Sequence, residues 1–147
     1  MVEYLIPNSL DEVLKFIDTH SAKIVSGATD LMVQKRNWAE LPATFDKAPV
    51  YIFNLEELKY IKKENNNLHI GACTPLSDIL VHPDTPSLLK DSISIIASPA
   101  LRNLATLPGN IMNASPAGDT LPILYVLDAA VVVRSKSGSY IVSVDEV

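Results

Sequence analysis

Between Thr106 and Asp119, fourteen positions carry an unusual density of small residues, amide side chains and carboxylate: Thr106-Leu-Pro-Gly-Asn110, then Asn113-Ala-Ser-Pro-Ala-Gly-Asp119. Apolar chain resumes on both sides, within the longer stretch from Ala97 to Leu127. Such a pattern suits a loop whose backbone comes close to a polar ligand, with Asn110, Asn113 and Asp119 available to hydrogen-bond it. A second segment has the same character: Val25-Ser-Gly-Ala-Thr-Asp-Leu31 reads as a strand end, a small-residue turn and a helix start. Free N–H groups at such a turn, reinforced by a helix dipole, attract phosphate. One glycine at a strand-to-helix turn is commonplace by itself. Two such loops about 80 positions apart can grip the two ends of one extended phosphorylated ligand.

Few other residues offer chemistry. Cys73 is the single cysteine, so it forms no internal disulfide and cannot alone hold zinc or an iron–sulfur cluster. It ends a predicted strand, LHIGAC, and no adjacent basic residue lowers its pKa, so it reads as a buried structural thiol. His20, His69 and His82 fit no metal-ligand spacing. Nothing matches a Walker lysine loop, which ranks an unrelated nucleotide-binding protein last. No general base or nucleophile stands out; the expected catalytic and metal sets are empty.

The elements that position these loops follow from local pattern. Ser9-Leu-Asp-Glu12 is a capping box, and Leu10, Val13, Leu14 and Ile17 continue it as an apolar stripe, predicting a helix over 10–19. Lys23–Ser26 reads as a short strand, and Thr29 or Asp30 can cap a helix running to Trp38. Val50–Asn54 is rich in β-formers. Tyr60–Glu64 and Leu68–Ala72 predict a hairpin around three asparagines. Thr74-Pro75 opens a helix with threonine as cap and proline first. Helices are predicted again over 87–97 and 120–128, then a hairpin of Ala130–Arg134 with Tyr140–Val144. The order argues for an α+β fold rather than regular βαβ repetition.

Bulk properties set the limits. At 147 residues and 48% hydrophobic, the chain suits one ordinary domain or two small lobes sharing a core. Seventeen acidic against 12 basic residues give a formal charge of −5, and no basic cluster exceeds Lys35-Arg36 or Lys62-Lys63, so no nucleic-acid partner is expected. No apolar run reaches membrane-spanning length, and MVEYLIPNSLDE lacks the basic start of a signal peptide. A cytoplasmic protein with no membrane partner is expected.

The two loops carry a resemblance. The chain resembles the FAD-binding domain, or medium subunit, of the molybdenum hydroxylases, the family of xanthine, carbon monoxide and nicotinate dehydrogenases. Where the family reads Ala-Gly-Gly-Thr-Asp-Leu, this chain has Ser26-Gly-Ala-Thr-Asp-Leu31. Where the family reads Arg-Asn-x-Ala-Thr-x-Gly-Gly-Asn, it has Arg102-Asn-Leu-Ala-Thr-Leu-Pro-Gly-Asn110. The family's Asn-Ala-Ser-Pro-x-x-Asp matches Asn113–Asp119, and Ile70-Gly-Ala-Cys-Thr-Pro-Leu76 and the last hairpin also fit. The resemblance covers nearly the whole chain.

It implies a two-lobed α+β domain of the molybdopterin dehydrogenase type, with lobes at 1–54 and 55–147 and the family's C-terminal domain absent. Val25, Ser26, Gly27, Ala28, Thr29, Asp30 and Leu31 would form the first pyrophosphate loop. Thr106, Gly109 and Asn110 would form the second, donating from backbone and side chain. Ala97, Met112 and Asn113 would line the flavin cleft, and Asp119 would hydrogen-bond a polar part of FAD, its sugar. Arg102 has two readings, as a ligand contact or as the structural partner of a carboxylate. Pro116 and Pro122 would shape the loop.

Two positions depart from the family pattern. Ala28 replaces the second glycine of the first motif, which is tolerable at negative φ. Pro108 replaces the first glycine of the second and removes an N–H. Where that donor faces phosphate, its loss weakens binding by about 1–3 kcal/mol. The implied function is to carry electrons through FAD to NAD or another acceptor, in a hetero-oligomer with a molybdopterin-binding large subunit and a small subunit holding 2Fe-2S clusters. The competing reading is an assembly or binding module with the same fold and weakened or lost FAD binding.

Overall fold

In the computed structural model, residues 4–36, 43–113 and 118–147 are described. The first helix, α1 (Leu10–Thr19), coincides with the predicted span. Ser9 caps it: its Oγ accepts from the Glu12 N–H at 3.2 Å. The Glu12 carboxylate reaches back one residue further than a capping box requires, accepting from Asn8 N–H at 2.8 Å. The Leu10 N–H, which no helical carbonyl can meet, donates to Glu57 Oε1 at 2.6 Å.

Strand β1 (Ala22–Val25) pairs in parallel with β2 (Ala48–Tyr51), with Val25 opposite Tyr51. Leu5 bridges Val50 on the other edge of β2, also in parallel. The apolar face of α1 closes over this small sheet. Val13, Val50, Ile52, Leu55 and Cys73 form the buried cluster there, with Leu5, Leu10, Phe16 and Ile17 packed around it. Between the strands, α2 (Leu31–Gln34) is a single turn. The helix predicted to run to Trp38 is shorter than expected: it ends at Gln34, Lys35 is its C-cap and Arg36 is no longer helical, while residues 37–42 lie outside the described residues.

Strands β3 (Ile61–Glu64) and β4 (Asn67–Ile70) form the predicted hairpin, with Asn65 at φ 50° in its turn. Helix α3 (Leu76–Val81) begins one residue later than predicted. Pro75 takes the cap position, and Thr74 instead exchanges two hydrogen bonds with the Tyr60 backbone, at 3.0 and 3.1 Å. Helix α4 (Ser87–Ile95) stops short of Ala97, which adopts φ 48°, and is followed by one turn, α5 (Pro99–Arg102). Leu76, Ile79, Leu89, Ile93 and Leu107 make the second buried cluster.

The Thr106–Asp119 segment corrects the sequence reading: Leu107–Asn113 is a helix, α6, rather than a loop. Thr106 explains why. Its hydroxyl accepts from Gly109 N–H at 3.2 Å and its carbonyl from Asn110 N–H at 3.0 Å, which caps the helix. Pro108 therefore lies in the first turn, where a helix has no use for the missing N–H. Residues 114–117, including Pro116, lie outside the described residues. Helix α7 (Leu121–Val126), with Pro122 in its first turn, leads into the hairpin of β5 (Ala130–Ser135) and β6 (Gly138–Ser143). Ile111, Leu124 and Val144 form the third cluster beneath it. Helices and short separate sheets make this an α+β fold, as expected.

Candidate functional site

Strand β1 delivers the first loop. Val25 is buried at its end, and Ser26 turns away, its Oγ donating to the Ala72 carbonyl at 3.2 Å. Gly27 follows, and its glycine is required by packing: a Cβ there would stand 1.8 Å from the Leu104 carbonyl oxygen and 3.1 Å from Ala105 Cα. The first loop is thus pressed against the backbone that leads into the second. Ala28 adopts φ 59°, the left-handed region, and not the negative φ that would make its methyl innocuous. A left-handed residue in such a turn can direct successive N–H groups to one side, as in an anion nest. Among the described residues the N–H groups of Gly27, Ala28, Thr29 and Asp30 meet no acceptor. Because α2 is one turn, its dipole adds little, and anion recognition here rests on these individual N–H groups.

Thr106 leads into α6, which carries the second motif, and is 2% exposed. Its hydroxyl donates to Ser26 Oγ at 3.2 Å while accepting from Gly109 N–H. The Asn110 carboxamide oxygen accepts from the Thr120 hydroxyl, and Thr120 is fully buried. That bond fixes the Asn110 oxygen as an acceptor and turns its carboxamide nitrogen, a donor, the other way.

At the outer end, Gln34 joins the two segments. Its Nε2 donates to Asn113 Oδ1 at 2.9 Å and also to Asp30 Oδ2. Met112 is 68% exposed beside Asn113. Ala97 lies on the connection from α4 to α5, held by Arg102, whose Nη1 donates to the carbonyls of Ser94, Ile96 and Ala97 at 3.3, 2.8 and 3.0 Å. These bonds give Arg102 a structural role, with carbonyls at a helix C-terminus in place of the expected carboxylate. Asp119 is exposed, and its backbone carbonyl accepts from Ser92 Oγ at 3.1 Å.

The two motifs thus meet: Ser26 and Thr106 are hydrogen-bonded, Gly27 abuts the backbone at Leu104, and Asp30 and Asn113 are joined through Gln34, while no contact brings Ala97, Met112 or Asp119 to the first loop among the described residues. Gln34 and Thr120 were not found from the sequence. The i, i+4 spacing of Asp30 and Gln34 was the only signal for one of them. Among the described residues no group of His, Cys, Asp and Glu could hold a metal. Cys73 is completely buried, its Sγ donating to Ile52 O at 3.2 Å, and burial pushes its pKa up. An inert structural thiol follows. A separate hollow of about 270 Å³, lined by Tyr4, Ala43, Phe45, Pro49 and Tyr51, includes none of the candidate residues. No described helix is long and apolar enough to cross a membrane.

Comparison with known proteins gives the family. A family described as the FAD binding domain in molybdopterin dehydrogenase matches residues 1–147. The FAD-subunit of nicotinate dehydrogenase from Eubacterium barkeri is 34% identical over 93% of this chain and 47% of its own length. The medium chain of glyceraldehyde dehydrogenase from Sulfolobus acidocaldarius is 32% identical over 92% of this chain and 48% of its own. Among solved structures, carbon monoxide dehydrogenase from Hydrogenophaga pseudoflava superposes with a TM-score of 0.86 at 26% identity, covering 97% of this chain and 50% of that one. The chain spans about half the length of the relatives it matches.

Proposed function

The chain belongs to the FAD-binding domain family of the molybdopterin dehydrogenases, and on that premise we propose that it holds the FAD pyrophosphate between the Val25–Leu31 loop and the start of α6. One observation carries the reading: Thr106 and Ser26 are hydrogen-bonded at 3.2 Å, which brings the N–H groups of Gly27–Asp30, without backbone acceptors among the described residues, beside the second motif. Residues and group fit. A diphosphate needs clustered neutral donors more than it needs a single cation, and backbone N–H groups with the Asn110 carboxamide supply them.

Each residue then has a task. Gly27, Ala28, Thr29 and Asp30 bind through N–H groups, with Val25 and Leu31 anchoring the loop at its ends. Gly109 and Thr106, whose N–H and hydroxyl are spent on internal bonds rather than left for phosphate, hold the start of α6 in register, and Asn110 donates to the phosphates. Ala97, Met112 and Asn113 border the flavin, and Asp119 accepts from the sugar. When bound, FAD supplies interconversion between single-electron and two-electron transfer; the chain's own residues bind, orient and shield it.

In the whole protein, electrons would enter from iron–sulfur clusters on a small subunit, fed by a molybdopterin-binding large subunit, and leave to NAD or another acceptor. The lobes at 1–54 and 55–147 would lie on either side of the cofactor. The setting is the cytoplasm. Absorbance tests the reading: the purified protein should show bound-flavin bands, or acquire them on incubation with FAD. Their absence in both cases refutes it.

A further inference from the structure

Helices α2 and α6 come from distant parts of the chain, 79 positions apart at Gln34 and Asn113, and one side chain joins them. Gln34 belongs to neither sequence motif. Its nitrogen donates to Asp30 and to Asn113 Oδ1, two residues assigned above to the cofactor. These bonds settle the orientation of both carboxamides. A carboxylate only accepts, so Gln34 must present its nitrogen there. That nitrogen donates onward, so Asn113 must present its oxygen, which leaves its own N–H donors for another acceptor. Both side chains are exposed, where without this pairing each would sample several rotamers and both amide orientations.

We propose that Gln34 is a positioning residue of the flavin site. It holds the Asn113 carboxamide in a single orientation with its donors left for the cofactor, and it ties α2 to α6 at the outer end of the cleft. The proposal rests on Asn113 being a flavin contact. Donor chemistry is what position 34 requires. Methionine matches the length without a donor, glutamate sets acceptors against acceptors, and lysine keeps donors for both oxygens.

Titration of FAD into the flavin-stripped intact protein, followed by flavin fluorescence, tests this. Gln34→Met should weaken FAD about tenfold and Gln34→Glu at least as much, while Gln34→Lys restores binding to within about threefold. Because Gln34 acts through Asn113, the double variant Gln34→Met/Asn113→Ala should bind no more weakly than Asn113→Ala alone. Melting of the flavin-free Gln34→Met protein should stay within a few degrees of the parent. Unchanged FAD affinity in Gln34→Met, or full additivity in the double variant, overturns the proposal and leaves the FAD site standing. A large fall in melting temperature with no rescue by lysine assigns Gln34 to the fold alone and also overturns it. A parent protein that takes up no FAD overturns both this proposal and the site reading.

Discussion

Thr106 and Ser26, 80 positions apart, share a 3.2 Å hydrogen bond that is one link in a longer chain. Gly109 N–H donates to the Thr106 hydroxyl, Thr106 to the Ser26 hydroxyl, and Ser26 to the Ala72 carbonyl. Three segments are joined by donors pointing one way, an arrangement in which each bond polarises the next.

Replacing Thr106 by valine keeps its volume and removes both hydroxyl bonds. With the Gly109 N–H and the Ser26 hydroxyl left short of a partner, we expect a loss of about 1–3 kcal/mol in urea unfolding and weaker FAD uptake. Thr106→Ser should retain most of both.

Ala28 is held at φ 59°, a conformation that costs a non-glycine residue about 1–2 kcal/mol. Ala28→Gly relieves this and loosens the unfolded chain, so a net gain of about 0.5–1 kcal/mol is expected, with FAD affinity retained. Ala28→Val should move stability the other way. Equal stability in all three proteins would refute the left-handed assignment.

Gly27→Ala should be far more damaging than its size suggests. The added methyl would need to stand 1.8 Å from the Leu104 oxygen, a backbone atom that cannot rotate away. Displacement of one loop should cost about 3 kcal/mol or more and abolish FAD binding. Calorimetry and flavin titration on the same sample would read both.

Pro108 stands where the family has glycine, and the sequence alone suggested a phosphate donor lost. Its place in the first turn of α6 changes that expectation. Pro108→Gly should lower stability by about 1 kcal/mol through lost pre-organisation, while FAD affinity changes by less than about threefold. A large gain in affinity would restore the original view.

Burial raises the Cys73 pKa, chiefly by desolvating the thiolate. The folded protein therefore binds the thiol proton more tightly than the unfolded chain does. Stability is fully present below the ordinary thiol range and falls as pH rises through it. Denaturation midpoints should decline above about pH 9, and Cys73→Ala should flatten that decline. The native thiol should also react slowly with iodoacetamide.

Local pattern was enough wherever one segment decided its own structure. Ser9 and Glu12 announce α1, and the asparagines between β3 and β4 announce a turn. The family was also legible, because the two motifs stand in the right order along the chain and together match its pattern. What could not be read was set by contacts across the chain. Thr106 became a helix cap because its hydroxyl sits between Gly109 and Ser26, turning an expected loop into α6. The close approach of Gly27 to the Leu104 carbonyl, and the left-handed Ala28 beside it, have no local signature. Gln34 carries no signature beyond its spacing from Asp30, since its partner Asn113 is far along the sequence.

The contact between Gly27 and the Leu104 carbonyl means that neither motif is portable. Ser26–Leu31 grafted onto another strand-to-helix turn would bring the letters without the wall that bends them. During synthesis, a nascent chain that has not yet emerged past residue 104 holds the complete first motif and no half of a site. On the proposed site, the cofactor would be recognised only after the two distant segments have met, which would make flavin uptake a report on completed folding.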